Sequence, residues 1–104
     1  MLVATIRLRI SQEDRKELTQ TLGSLSTTIM KQKGCRSCRV YRQLDSDDAI
    51  VLIEEWETRD DWDSHLRSTE FAVLHGAMRL VTDPAAVEFV LLNRVGGMEL
   101  LNSR

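Results

Sequence analysis

The sequence predicts an α+β fold in which a four-stranded antiparallel sheet carries two helical connections on one face. Three observations predict it. Four segments read as strands, apolar stripes at helical spacing lie between them, and the order is β-α-β-β-α-β. That order is the split βαβ, or ferredoxin-like, arrangement.

Each element has its own signal. Leu2, Ala4, Ile6, Leu8 and Ile10 alternate with Thr5, Arg7 and Arg9, and a period of two marks a half-buried strand. Ser11 opens a helix, with Asp14 three residues on as a variant capping box. Leu18, Leu22, Leu25 and Ile29 then form one apolar stripe. Gly34 is expected to end this helix, with Lys31 and Lys33 suiting its C-terminal end. Residues 35–44 and 49–57 read as strands joined by the turn at 45–48, which makes them a hairpin. Thr58 caps a short helix, with Asp61 at its third position and Trp62 and Leu66 inward. Ser68 or Thr69 opens a further helical stretch with a stripe of Phe71, Leu74, His75, Met78 and Val81. Asp83-Pro84 ends it. Residues 86–95 read as the fourth strand, and Gly96-Gly97 breaks it.

At 104 residues the chain is one domain, expected over 1–95 with a C-terminal tail at 96–104. Strand three has Val51 and Ile53 on one face and Ile50, Leu52 and Trp56 on the other, and strand four is apolar on both faces. Such strands are buried on both faces. The helices cover one face, so a second copy is expected on the other, as a two-fold homodimer.

Composition narrows the function. Net charge is −2, from 14 basic and 16 acidic residues. That balance argues against a nucleic-acid partner. The longest apolar runs fall far short of the roughly 18 residues of a membrane span. No basic segment precedes an apolar stretch at the N-terminus, so a soluble cytoplasmic protein without membrane association is expected. No phosphate-cradling glycine loop or metal-ligand cluster is present, and Gly96-Gly97 has no helix behind it. Cys35 and Cys38 form a C-x-x-C pair within a strand. Positions i and i+3 of a strand point to opposite faces, so two reduced thiols are expected, one of them buried.

Residues 52–75, from Leu52-Ile53-Glu54-Glu55-Trp56 through His65-Leu66 to Phe71 and His75, resemble the signature of the antibiotic biosynthesis monooxygenase family. The features are a strand ending in Glu-x-Trp, a helix closing in His-Leu, a short break, then Phe and a helix. Gly34-Cys35 before the second strand also fits. The resemblance spans Leu2 to Val95. It implies a dimeric α+β barrel with a pocket in each monomer between sheet and helices. It implies oxidation of a small electron-rich aromatic, a quinol or polyphenol, by O2 without a flavin, metal or other cofactor. Other branches of the family degrade heme or process small signalling molecules.

The resemblance also implies site residues. His65 matches the histidine of the His-Leu motif and is the candidate base, with His75 behind it. His75, expected to face the sheet, stands where the heme-degrading branch places its iron ligand. That branch also uses an Asn on the first strand and a Trp on the helix, where this chain has Thr5, Ile6 and His65. Trp62, Phe71, Trp56 and Tyr41 are candidate substrate contacts, with core packing the plainer reading of Trp56 and the dimer seam an equal one for Tyr41. Glu54, Glu55 and Glu57 are expected to pair with Arg7, Arg9 or Arg39 across the sheet. Two alternatives stand beside the oxygenase: a binding or stress-related domain without turnover, and heme binding through His75.

Overall fold

The computed structural model describes residues 1–45, 48–79, 86–91 and 97–102. The elements are β1 (Leu2–Arg9), α1 (Gln12–Ile29), β2 (Cys35–Arg42), β3 (Ala49–Trp56), α2 (Arg59–Leu66), α3 (Thr69–Met78), β4 (Ala86–Leu91) and α4 (Glu99–Asn102). The strands form one antiparallel sheet in the order β2-β3-β1-β4. The predicted α+β, ferredoxin-like order is therefore present. Its second helical connection is two short helices, and α4 lies within the predicted tail.

Alternation decides which side of the sheet meets the helices. Leu2, Ala4, Ile6, Leu8 and Ile10 are all buried, as are Ile50, Leu52, Glu54 and Trp56 of β3. Leu18, Leu22, Leu25 and Ile29 of α1 and Leu74 and Ala77 of α3 pack on this inner face. Replacing one of these leucines by alanine costs about 2–5 kcal/mol. On the outer face, Val3, Thr5, Val51 and Ile53 form a half-buried row.

Helix ends differ in detail from the sequence reading. α1 stops at Ile29, before Gly34. Lys31 N–H bonds the Thr28 carbonyl and Gln32 N–H the Ile29 carbonyl, so tightened three-residue bonds use up the last carbonyls. Gly34 instead turns the chain into β2 at φ 82°. Its carbonyl accepts from Glu57 N–H at 2.8 Å, tying the start of β2 to the end of β3. Ser11 caps α1 with its backbone: its hydroxyl donates to the Asp14 carboxylate at 3.0 Å and its carbonyl accepts from Asp14 N–H. α2 begins as expected, with Asp61 N–H donating to Thr58 Oγ1 at 3.1 Å. Ser68 caps α3, accepting from Phe71 N–H at 3.1 Å.

One irregularity rearranges the cysteines. A β-bulge between Cys35 and Ser37 sets Cys35 opposite Trp56 and Cys38 opposite Glu54. Trp56 and Glu54 are two apart on β3 and share the inner face. The extra residue resets the alternation of β2, so both thiols lie on the inner face. The expectation that they point to opposite faces is corrected. Cys38 is buried, Cys35 is half-buried, and both are free thiols.

Positions 46–47 of the predicted turn, Val81, Asp83, Pro84, residues 92–95 and Gly96 lie outside the described residues. Among the described residues no helix is long and apolar enough to cross a membrane.

Candidate active site

The chemistry gathers between β3 and the junction of α2 with α3. Helix α2 is amphipathic with a short inward stripe, and His65 is its deepest residue at 2 % exposure, with Trp62 and Leu66 half-buried. Ser68 fixes the backbone beneath it. Both Ser68 N–H and Ser68 Oγ donate to the His65 carbonyl, at 2.9 and 2.6 Å.

The His65 ring is held on every side. It stacks on Trp56 with ring centroids 4.6 Å apart, and Phe71 meets it edge-on at 5.5 Å. Nδ1 lies 2.6 Å from Gln32 Oε1. Nε2 lies 3.3 Å from Glu54 Oε1, outside good hydrogen-bond alignment. Trp56 Nε1–H donates to the same Glu54 oxygen at 3.0 Å. Glu54 Oε2 is buried and has no hydrogen-bond partner among the described residues. A buried carboxylate oxygen without a partner is costly and uncommon. It is an acceptor facing the protein interior with nothing to accept.

The chain of contacts continues outward. Gln32 Nε2–H donates to Glu70 Oε2 at 2.9 Å. Beside it, Gln32, Lys33, Asp60, Asp61, Ser64 and His65 line an open groove of about 440 Å³. A second cleft, of about 360 Å³, runs between α1 and α3 but contains none of these groups.

Glu54 also acts on the thiols opposite it. Burial, then the Glu54 charge, raises the Cys35 thiol to about 11. The same two causes, with Cys35 third, push Cys38 up as well. Both are therefore poor nucleophiles at neutral pH.

The sequence-derived candidates divide. His65, Trp56 and Phe71 form one cluster, and Trp62 packs half-buried against the same core. His75 does not face the sheet. Each helical residue turns about 100°, and Leu74 with Ala77 takes the inward direction, leaving His75 exposed with its ring 6.0 Å from Phe71. Tyr41, 45 % exposed, pairs with Val51 and so stands on the outer face, across the sheet from His65. Glu54 was expected in a cross-sheet ion pair and is instead a core residue. Its parity with Trp56 carried that signal. Glu57 pairs with Arg36 at 3.5 Å rather than with Arg7, Arg9 or Arg39. Gln32 and Glu70 had no sequence signal: neither lies on a predicted apolar stripe. Among the described residues no group of three or more His, Cys, Asp or Glu is arranged to hold a metal ion.

Residues 1–77 match the antibiotic biosynthesis monooxygenase family. The chain belongs to this family. Among the antibiotic biosynthesis monooxygenases and their kin, it is 26 % identical over 85 residues to the Escherichia coli protein named "Probable quinol monooxygenase YgiN", covering 74 % of this chain and 82 % of that one. The structure of Rv0793 from Mycobacterium tuberculosis superposes with a TM-score of 0.80 at 27 % identity, covering 92 % of this chain and all of that one. SnoaB of Streptomyces nogalater, described as a cofactor-independent oxygenase, superposes at 0.77 with 16 % identity, over 90 % and 94 % of the two chains. At that identity SnoaB supports the shared fold alone.

Proposed function

We propose that this antibiotic biosynthesis monooxygenase-family protein is a cofactor-independent oxygenase that oxidises a small quinol or polyphenol with O2. The observation that carries the reading is the buried Glu54–His65 pair, with Glu54 Oε2 unpartnered inside an aromatic cluster.

In the overall reaction one oxygen atom of O2 enters the ring and the other leaves as water. A hydroquinone thereby becomes a hydroxyquinone, and the substrate supplies all four electrons. The protein's task is to make the phenolate, which gives an electron to O2 more readily than the phenol. Glu54 Oε2 is the acceptor for that proton, with the His65 imidazole behind it stabilising the change in charge. Phe71 and Trp62, half-buried, are the residues past which an aromatic ring reaches the pair, and Trp56 forms the floor. A dry surround protects the radical or peroxide that follows. His75, exposed behind Phe71, stands at the entrance.

The working unit in this reading is a homodimer, in which a second copy covers Val3, Thr5, Val51 and Ile53 on the outer face. Tyr41, on that side of the sheet, belongs to the dimer seam.

A second reading, small-molecule binding without turnover, has one observation in its favour. Both His65 ring nitrogens already face protein groups, so the imidazole itself offers a substrate no free atom.

The deciding experiment is O2 uptake with a panel of reduced quinols and polyphenols, against a no-enzyme control for autoxidation. The Glu54→Gln, His65→Ala and His75→Ala variants run in parallel. Uptake above control that is lost in a folded Glu54→Gln protein supports the oxygenase. Ligand-induced thermal stabilisation without uptake anywhere in the panel supports the binding domain.

A further inference from the structure

The Gln32–Glu70 contact lies outside the aromatic cluster, yet it bears on the proton count inside it. A carboxylate only accepts hydrogen bonds. Glu70 Oε2, 2.9 Å from the Gln32 amide nitrogen, therefore fixes which end of that amide is which. The NH2 must face Glu70, and the carbonyl oxygen must face His65. That oxygen, 2.6 Å from Nδ1, also only accepts. So Nδ1 carries a hydrogen.

With Nδ1 protonated, a neutral His65 presents the bare lone pair of Nε2 to Glu54 Oε1 at 3.3 Å. An ionised Glu54 would set a second lone pair against it. The His65 and Glu54 side chains are 1 % and 2 % exposed, so no solvent relieves that repulsion, and the pair would hold a lone negative charge in the core. A proton between Nε2 and Oε1 removes both costs and brings the pair to zero net charge. Trp56 Nε1–H, already bonded to Oε1, keeps that oxygen turned toward the ring.

We propose that Gln32 and Glu70 are positioning residues which fix His65 with its Nδ1 protonated and so keep one proton shared between His65 Nε2 and Glu54, groups 3.3 Å apart whose alignment falls short of a good hydrogen bond. This rests on the oxygenase reading only in what it does for catalysis. When a phenol then gives its proton to Glu54 Oε2, the pair becomes positive as the phenolate becomes negative, and the site's net charge stays at zero. Neither residue touches the substrate.

The test reads the imidazole directly, by two-bond proton–nitrogen correlation on the protein labelled with 15N-histidine. His75→Ala assigns the two rings. In the wild type the His65 Nδ1 signal is expected in the protonated range near neutral pH. In Gln32→Leu, and in Glu70→Leu, where the freed amide turns over, the ring hydrogen moves to Nε2, the proton shared there passes to Glu54, and Nδ1 shifts to the bare-nitrogen range. Glu70→Gln, which can accept from Gln32 or donate to it, no longer fixes the amide, so both patterns are expected together. Thermal melts of each variant check the fold, and two routes to the same shift keep the test intact if one variant does not fold. A wild-type ring bare at Nδ1, or one unchanged in both leucine variants, overturns the proposal. O2 uptake on the same samples separates the two ideas. The expected nitrogen shifts without uptake leave the positioning role standing and sink the oxygenase. Uptake with Nδ1 bare does the reverse.

Discussion

The Asp61 carboxylate occupies the space where a side chain on Gly34 would begin. Gly34 also sits at φ 82°, where a Cβ costs about 1–2 kcal/mol. Gly34→Ala is thus expected to carry two penalties, one from the backbone and one from the displaced Asp61. Asp61 belongs to the Thr58 cap, accepting from Thr58 Oγ1 at 2.9 Å, so the damage reaches α2 and His65. Urea unfolding of Gly34→Ala, Asp61→Ala and the double variant separates the parts. The double variant should relieve only the clash with the carboxylate, since the β-carbon of residue 61 still lies against the new Cβ, and it keeps the backbone penalty. Strict additivity of the two single variants would show that they do not meet.

Glu54→Gln is expected to fold and to fail as a catalyst. With its carbonyl oxygen in the place of Oε1, the glutamine still accepts from Trp56 Nε1–H, and its NH2 takes the place of Oε2. What is lost is the proton acceptor, whose absence costs about 10²–10⁴-fold in rate. Steady-state O2 uptake at saturating quinol is the measurement. A rate within a few-fold of wild type would remove Glu54 from the chemistry.

Ile53→Asp places a charge in the outer row formed by Val3, Thr5, Val51 and Ile53. Burying an unpaired carboxylate in an interface is strongly unfavourable. Light scattering should show the wild type at twice 11.9 kDa and the variant at 11.9 kDa. A wild type already at the smaller mass would end the dimer proposal.

The thiols make stability fall in alkali. Burial and Glu54 hold Cys35 at about 11, above its reference of 9.0, and Cys38 is raised too. A thiol raised on folding stabilises the protein fully below its unfolded value. That contribution is lost as pH rises from about 9 toward 11. Over this window the urea midpoint of wild type should drop more steeply than that of Cys38→Ala. Parallel slopes would show that the buried thiol plays no part.

Much of the fold was legible because alternation and helical stripes report burial directly. Leu2 to Ile10 and Leu18 to Ile29 went where their periods pointed. Thr58 and Ser68 opened their helices because a hydroxyl at that position satisfies an otherwise unpaired N–H. The site was legible in part. His65, Trp56 and Phe71 came through a motif, and Glu54 through parity with Trp56, though a glutamate on an apolar face reads first as a surface charge. The pairing of Cys35 with Cys38 on one face was not legible, since one bulge residue reverses strand parity without a sequence mark. Gln32 was not either: it lies on a connection, and its role depends on a contact 38 residues away. His75 misled because a stripe broad enough to include it is wider than the face α3 buries.

The raised thiols have a consequence for self-damage. Quinones of the kind the proposed reaction forms are electrophiles that arylate thiolates. With Cys35 at about 11, roughly one molecule in ten thousand carries its thiolate at pH 7. Two sulfur atoms beside the proposed quinone-forming centre thus stay chemically silent toward its product, and the carboxylate proposed to accept the phenol's proton helps keep them so.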